Sequence, residues 1–290
     1  MFRRPLRALR WGMAFVCLGL ASCATHVGHV GKSVPPVRTD YTVWRDITYT
    51  PSDWPEALQG DLYRPVAGEP APAVLLLHYG GWTGEDHRNH MAPIARKLAG
   101  RGYVVFNITY RKAPRWIYPA QVEDIHQALL WMRVHAKENG IDATRIATYG
   151  YSAGAHLASL AGLLKHPYDE GIKAVVAGGD PADLTMVESG SMVADFLGGK
   201  KERIPRRYIE ASPVYQVTKD SPPVFLYHGT MDGLVPPEHI RRFASALERK
   251  GISHEIYWLK GRGHITAFLF PGGAHDAAID FLDRVLRKGD

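Results

Sequence analysis

Between Arg145 and Ala158 the chain reads Arg-Ile-Ala-Thr-Tyr-Gly-Tyr-Ser-Ala-Gly-Ala-His-Leu-Ala, a β-branched strand signal that turns directly into an Ala/Leu-rich helix with Ser152 at the junction. No other stretch restricts the fold so tightly. Gly150 and Gly154 stand two residues to either side of the serine. A G-x-S-x-G pentapeptide at such a junction predicts a sharp elbow that lifts the hydroxyl clear of the backbone, with glycines where strand and helix must approach closely. By itself the pentapeptide also fits a plain strand-to-helix turn, so its meaning depends on the residues downstream.

Downstream come an acid and then a histidine, the chain order in which a sheet with this elbow carries its partners. Asp232 lies just after Pro222-Pro-Val-Phe-Leu-Tyr-His-Gly229, a hydrophobic strand signal opening into a loop. Its carboxylate is therefore expected beyond a strand's C-terminal end, where open α/β sheets place their sites. His264 closes Lys260-Gly-Arg-Gly-His264, directly after the strand signal His254-Glu-Ile-Tyr-Trp-Leu259. Upstream, Ala73-Val-Leu-Leu-Leu-His-Tyr-Gly-Gly-Trp82 reads as a buried strand running into a Gly-rich loop. Backbone N–H groups of that loop, together with the N–H of Ala153, can converge on an oxyanion formed at Ser152.

These segments resemble the α/β-hydrolase carboxylesterases, close to the hormone-sensitive-lipase-like and feruloyl-esterase-like groups. Further matching stretches are Asn107-Ile-Thr-Tyr-Arg111, Tyr118-Pro-Ala-Gln-Val-Glu-Asp124, Ala211-Ser-Pro-Val214 and Val224-Phe-Leu-Tyr-His-Gly-Thr-Met-Asp-Gly-Leu-Val-Pro236, so the likeness extends over roughly residues 45 to 285. It implies an α/β-hydrolase fold, a mainly parallel central sheet with helices on both faces and a small lid insertion. It also implies Ser152 as nucleophile, His264 as base, Asp232 as acid and Gly80 and Gly81 as oxyanion donors, with no cofactor and no metal. The usual HGGG loop reads His-Tyr-Gly-Gly here, placing the Tyr79 phenol beside the acyl pocket. The implied activity is hydrolysis of a small-molecule carboxylic ester. A feruloyl or acetyl-xylan esterase, a kynurenine-formamidase-like amidase and a non-catalytic binding lipoprotein on the same fold remain open beside it.

Other candidates are weaker. Asp180 and Asp183 are rival acids, but Asp183 before Leu184 reads as a turn or helix cap. The cluster Glu85-Asp-His-Arg-Asn-His90 invites a metal reading, yet it lacks HExxH spacing and reads as a solvated helix start. His156 lies one turn along the serine's own helix and reads as a packing or hydrogen-bonding histidine. His78 is expected to order the oxyanion loop and Asp124 to brace nearby backbone. Tyr79, Trp82, Trp116, Tyr118, Tyr151 and Phe196 fall near the expected mouth and favour an apolar or aromatic acyl group, with Tyr79, Trp82 and Tyr151 as substrate contacts.

The first residues carry Arg3, Arg4, Arg7 and Arg10 ahead of an apolar run from Trp11 to Leu20, the layout of an export signal too short to span a bilayer comfortably. Leu20-Ala-Ser-Cys23 resembles the lipobox of bacterial lipoproteins, which makes Cys23 the lipidated residue and Ala24 a signal for the outer membrane facing the periplasm. Loss of the four arginines takes the formal charge from +6 to +2. With no aromatic-interleaved basic stripe either, there is no case for nucleic acid as a partner. The expected division is residues 1–22 as signal peptide, 23–40 as an unstructured tether, and 41–290 as one hydrolase domain. Within that domain strand and helix signals alternate, and an irregular stretch from Asp180 to Tyr215 supplies the lid. Oligomeric state leaves no trace in the sequence.

Overall fold

The computed structural model describes residues 24–28, 34–66, 70–164, 171–187 and 191–287. The expected signal peptide and Cys23 lie outside these residues. Among the described residues nine strands form one sheet: β1 (Ala24–Val27), β2 (Tyr41–Thr48), β3 (Gln59–Pro65), β4 (Ala71–Leu77), β5 (Val104–Ile108), β6 (Ile141–Tyr151), β7 (Ala174–Gly178), β8 (Val224–Gly229) and β9 (His254–Leu259). Their order is β1-β9-β8-β7-β6-β4-β5-β3-β2. From β5 through β4, β6, β7 and β8 to β9 every pairing is parallel, while β3, β2 and β1 join antiparallel at the edges.

Burial on both faces explains the composition of the central strands. All seven residues of β4, Ala-Pro-Ala-Val-Leu-Leu-Leu, are buried, as a parallel strand between two helical layers must be. Alternate side chains serve separate cores: Leu75 and Leu77 pack on one side with Phe106 and Ile125, Val74 and Leu76 on the other with Phe225 and Phe281. The helices are α1 (Ala92–Gly100), α2 (Ala120–Val134), α3 (Ala136–Asn139), α4 (Ala153–Leu163), α5 (Ser191–Leu197), α6 (Pro205–Glu210), α7 (Pro213–Gln216), α8 (Glu238–Arg249), α9 (His264–Leu269) and α10 (Ala274–Leu286). In α8, Ile240, Phe243 and Leu247 recur at helical spacing and are buried, with Arg241 and Glu248 turned outward. The α4 helix is apolar all round, and ten of its residues are buried, because it lies between the sheet and the lid.

Two segments depart from expectation. The stretch after Cys23, read as an unstructured tether, instead begins with strand β1, whose Ala24 pairs with Leu259 and Val27 with Ile256. Four residues without an obvious period carry no strand signal of their own; the free edge of β9 supplies the backbone partners, and the His26 ring reaches Glu255 at 2.8 Å. In the described part of the stretch from Asp180 to Tyr215, expected to be irregular, the chain forms the short helices α5, α6 and the start of α7. Pro205 and Pro213 each stand in the first turn of their helix, where a missing N–H costs nothing.

Candidate active site

The elbow is a consequence of glycine placement. Ser152 adopts φ 54° and ψ −122°, a conformation a non-glycine residue holds only when its surroundings enforce it. Its N–H donates to the Gly178 carbonyl of β7 at 2.7 Å. A Cβ on Gly154 would sit 2.3 Å from the Leu77 carbonyl oxygen, and one on Gly150 would sit 2.1 Å from that of Gly154. Helix α4 therefore leaves β6 as closely as backbone can approach backbone, and the serine is held at the rim of the sheet.

Asp232 and His264 arrive from the two strands beyond. The His264 Nε2 lies 2.9 Å from Ser152 Oγ, and Nδ1 lies 2.7 Å from Asp232 Oδ2. A carboxylate only accepts, so Nδ1 carries the proton and Nε2 is left to accept from the serine hydroxyl. The other carboxylate oxygen accepts from the amides of Leu234 at 3.0 Å and Val235 at 2.8 Å. Burial opposes ionisation of Asp232, but the hydrogen bond and charge of His264, aided by the Val235 amide, outweigh it and hold the carboxyl below its ordinary range. His228 braces the same turn through Nε2, 2.9 Å from the Val235 carbonyl, and burial pushes it down to about 4. The three residues selected from the sequence thus meet in one hydrogen-bonded chain.

The glycine-rich loop that follows β4 lies against the elbow, where a Cβ on Gly154 would meet the His78 carbonyl oxygen at 2.5 Å. Gly80 and Gly81 have φ 131° and 61°, and the loop closes through a 3.1 Å bond from the Thr83 N–H to the Gly80 carbonyl. Among the described residues, the amides of Gly80, Gly81 and Ala153 donate to no protein acceptor. Ala153 opens α4, so its N–H has no partner within the helix. His78 orders this loop as expected: its Nδ1–H donates to the Tyr79 carbonyl at 2.6 Å, and its Nε2 lies 2.8 Å from Lys112 Nζ. Burial, reinforced by the Lys112 charge, holds the His78 imidazole well below its ordinary range. The same burial lowers Lys112 to about 7.

Several aromatic assignments change in three dimensions. Tyr79 turns its ring onto His87, centroids 4.9 Å apart, and its hydroxyl lies 2.6 Å from His90 Nδ1. Trp82, expected as a substrate contact, is only 4% exposed; it stacks on Phe196 of α5 at 4.6 Å, and its indole N–H donates to His156 Nδ1 at 3.3 Å. Tyr151, also expected there, is 2% exposed and donates its hydroxyl to the His264 carbonyl at 2.5 Å. Both support the site from behind, because the lid and α9 cover the faces that an open loop would have left to substrate. Phe196 is likewise fully buried.

The remaining candidates fall where the sequence placed them. His156 donates from Nε2 to the Ala211 carbonyl at 2.7 Å, and burial lowers it to about 3, so it is a neutral pin between α4 and the lid. Asp183 accepts from the Thr185 N–H as a cap and pairs with Arg242 at 3.0 Å. Asp124 accepts from the Arg111 amide and Nε at 2.8 and 2.7 Å and from Trp54 Nε1 at 2.9 Å, bracing the loop after β5. Sequence reasoning passed over Tyr110, whose hydroxyl donates to the His78 carbonyl at 2.8 Å, and Lys112. Their only signal was the Asn107–Arg111 motif that contains or adjoins them.

Residues 61–247 match the BD-FAE family. A probable carboxylic ester hydrolase, LipM, of Mycobacterium tuberculosis is 30% identical over 79% of this chain and 58% of its own length. The esterase LipQ of the same organism is 32% identical over 73% of this chain and 54% of its own. The chain thus spans little more than half the length of these curated relatives. Among solved structures, a truncated carbohydrate esterase from gut microbiota superposes with a TM-score of 0.78 over 89% of this chain and all of its own, at 21% identity. The thermophilic esterase Est2 of Thermogutta terrifontis gives 0.70 over 87% of this chain and 95% of its own, at 25% identity. With its elbow, parallel sheet and matching core segment, the chain belongs to the BD-FAE family of α/β-hydrolase esterases.

Proposed function

We propose that the protein is a serine hydrolase that cleaves carboxylic esters through an acyl-enzyme. The observation that carries this reading is the unbroken chain Asp232–His264–Ser152, at 2.7 and 2.9 Å, ending on a serine held in the strained elbow. Ser152 Oγ attacks the ester carbonyl while His264 Nε2 takes its proton; the tetrahedral oxyanion is met by the amides of Gly80, Gly81 and Ala153. His264 then returns the proton to the departing alkoxide, releasing the alcohol and leaving the acyl group on Ser152. Water enters by the same route, giving the acid and free serine, and Asp232 stabilises the imidazolium at each stage. The relatives named as ester hydrolases support this class of substrate. A fluorophosphonate probe is the direct test: a single adduct on Ser152 of the folded protein is expected, and its absence would favour a binding protein that kept the fold. Turnover of p-nitrophenyl esters from acetate to decanoate, beside methyl ferulate and N-formylkynurenine, then separates the esterase reading from the deacylase and amidase ones.

Attachment to a membrane is the second part of this reading, supported by the arginine-led apolar run and Leu20-Ala-Ser-Cys23. Cys23 carries the lipid, and Ala24 after it favours the periplasmic face of the outer membrane. Intact-mass measurement of the membrane fraction tests it; a soluble species without lipid mass on Cys23 refutes it.

A further inference from the structure

Large apolar side chains stand exposed on the loops that carry the acid and the base. Met231 flanks Asp232 and is 71% exposed; Ile265, Leu269 and Phe270, which come after His264, are 68%, 58% and 57% exposed. The two loops are tied into one rim of the site by their backbones: the Met231 N–H donates to the Arg262 carbonyl at 2.9 Å, and the Arg262 guanidinium lies 5.6 Å over the Phe270 ring. Lys260 is exposed beside it, and among the described residues neither Lys260 nor Arg262 pairs with a carboxylate. Apolar residues scattered singly over a surface need no explanation, but four large exposed apolar residues on two hydrogen-bonded loops, beside unneutralised cations, call for a partner.

The edge strand β1 says which partner. It runs antiparallel to β9, and Ala24 pairs with Leu259, the residue immediately before Lys260. The chain from Cys23 therefore enters the sheet at its catalytic end, one peptide unit, about 3.8 Å, from the residue that would carry the anchor. We propose that this rim docks on an anionic lipid bilayer, so that the mouth of the Ser152 site faces the membrane to which the chain is attached. The inference rests on the membrane-attachment reading above. Leu269, Ile265 and Phe270 enter the acyl boundary, and Lys260 and Arg262 meet the lipid phosphates. A free tether would let the domain hang in any orientation; pairing of Ala24 to the sheet edge removes that freedom.

The test uses the full-length chain in vesicles of phosphatidylcholine and phosphatidylglycerol, with a bimane fluorophore on Leu269→Cys or, separately, Ile265→Cys. A third label on Lys137→Cys reports α3, which is exposed and precedes β6 at the opposite end of the sheet. Nitroxide-labelled lipid is expected to quench both α9 labels strongly and the α3 label little. Leu269→Ser with Lys260→Gln should weaken the affinity of the domain for the bilayer surface by about tenfold or more while turnover of a soluble short-chain ester is unchanged. Equal quenching at both ends, or concentration-dependent self-association that shields Leu269 without lipid, overturns the proposal. Intact mass of the same samples reads lipid on Cys23 separately, so loss of anchorage and loss of docking are distinguished.

Discussion

Replacement of Asp180 by asparagine should stabilise this protein, and by an amount that depends on pH. Asp180 lies just beyond β7 and is fully buried; its Oδ2 accepts from the Ser159 hydroxyl at 2.6 Å, while Oδ1 has no hydrogen-bond partner among the described residues. Burial raises its titration from 3.8 to about 7, against the smaller opposing effect of the Ser159 hydrogen bond. When the chain unfolds, the carboxyl releases its proton near its ordinary value, whereas the folded protein holds it until about 7. Between those limits the folded state binds more protons, so stability falls as pH rises and levels off above the folded value. About three powers of ten in proton affinity correspond to about 4 kcal/mol as an upper bound. An asparagine keeps the oxygen that accepts from Ser159 and has no charge to bury. Guanidinium unfolding of wild type and Asp180→Asn from pH 4.5 to 8 should show an advantage for the variant that grows from about 1 kcal/mol at the acid end to at most about 4 kcal/mol at pH 8. A difference that stays constant across that range would refute the argument.

Ser152→Ala and His264→Ala should each lower kcat by roughly 10⁴-fold or more, with little added loss in the double variant, because the two act as a unit; additive losses measured with a soluble ester would count against the shared proton path. Asp232→Asn should be similarly severe, while Asp183→Asn should cost less than about tenfold in kcat, since Asp183 caps a turn and pairs with Arg242 away from His264; steady-state kinetics in the reverse order would reassign the acid. Gly154→Ala places a methyl 2.3 Å from the Leu77 carbonyl oxygen, contact between two backbones that no rotamer relieves. Soluble yield and thermal unfolding should both collapse, and a variant with wild-type Tm would mean that the elbow is looser than this contact requires.

Much of the scaffold was legible because its signals are local. The strand signal from His254 to Leu259 coincides with β9, while the strand expected from Ala73 to His78 is observed as Ala71–Leu77: burial on both faces makes the apolar run of β4 plain, but its ends are set by pairing with its neighbours. The triad was legible for a related reason: each member comes after a strand that points it at the same edge of the sheet. Trp82 and Tyr151 were harder. An aromatic residue beside a catalytic motif has the same sequence appearance whether it lines a pocket or props up a backbone. For Tyr151 the hydroxyl to the His264 carbonyl, 113 residues away in the chain, decided between them.

The sequence by itself determined the set of chemical groups and the order in which the chain presents them: a serine between two glycines, an acid and a histidine each placed after a strand, and a glycine pair after β4. These depend on residues close in sequence and on the steric rules of the backbone. Tertiary structure alone decided the surroundings. The lid closed over Trp82 through Phe196, His78 was braced by Tyr110 and Lys112, and Ala24 to Val27 became a strand. Four residues of ordinary composition have no preference strong enough to order themselves, and it was the unpaired backbone edge of β9, more than 200 positions further along, that supplied their hydrogen bonds.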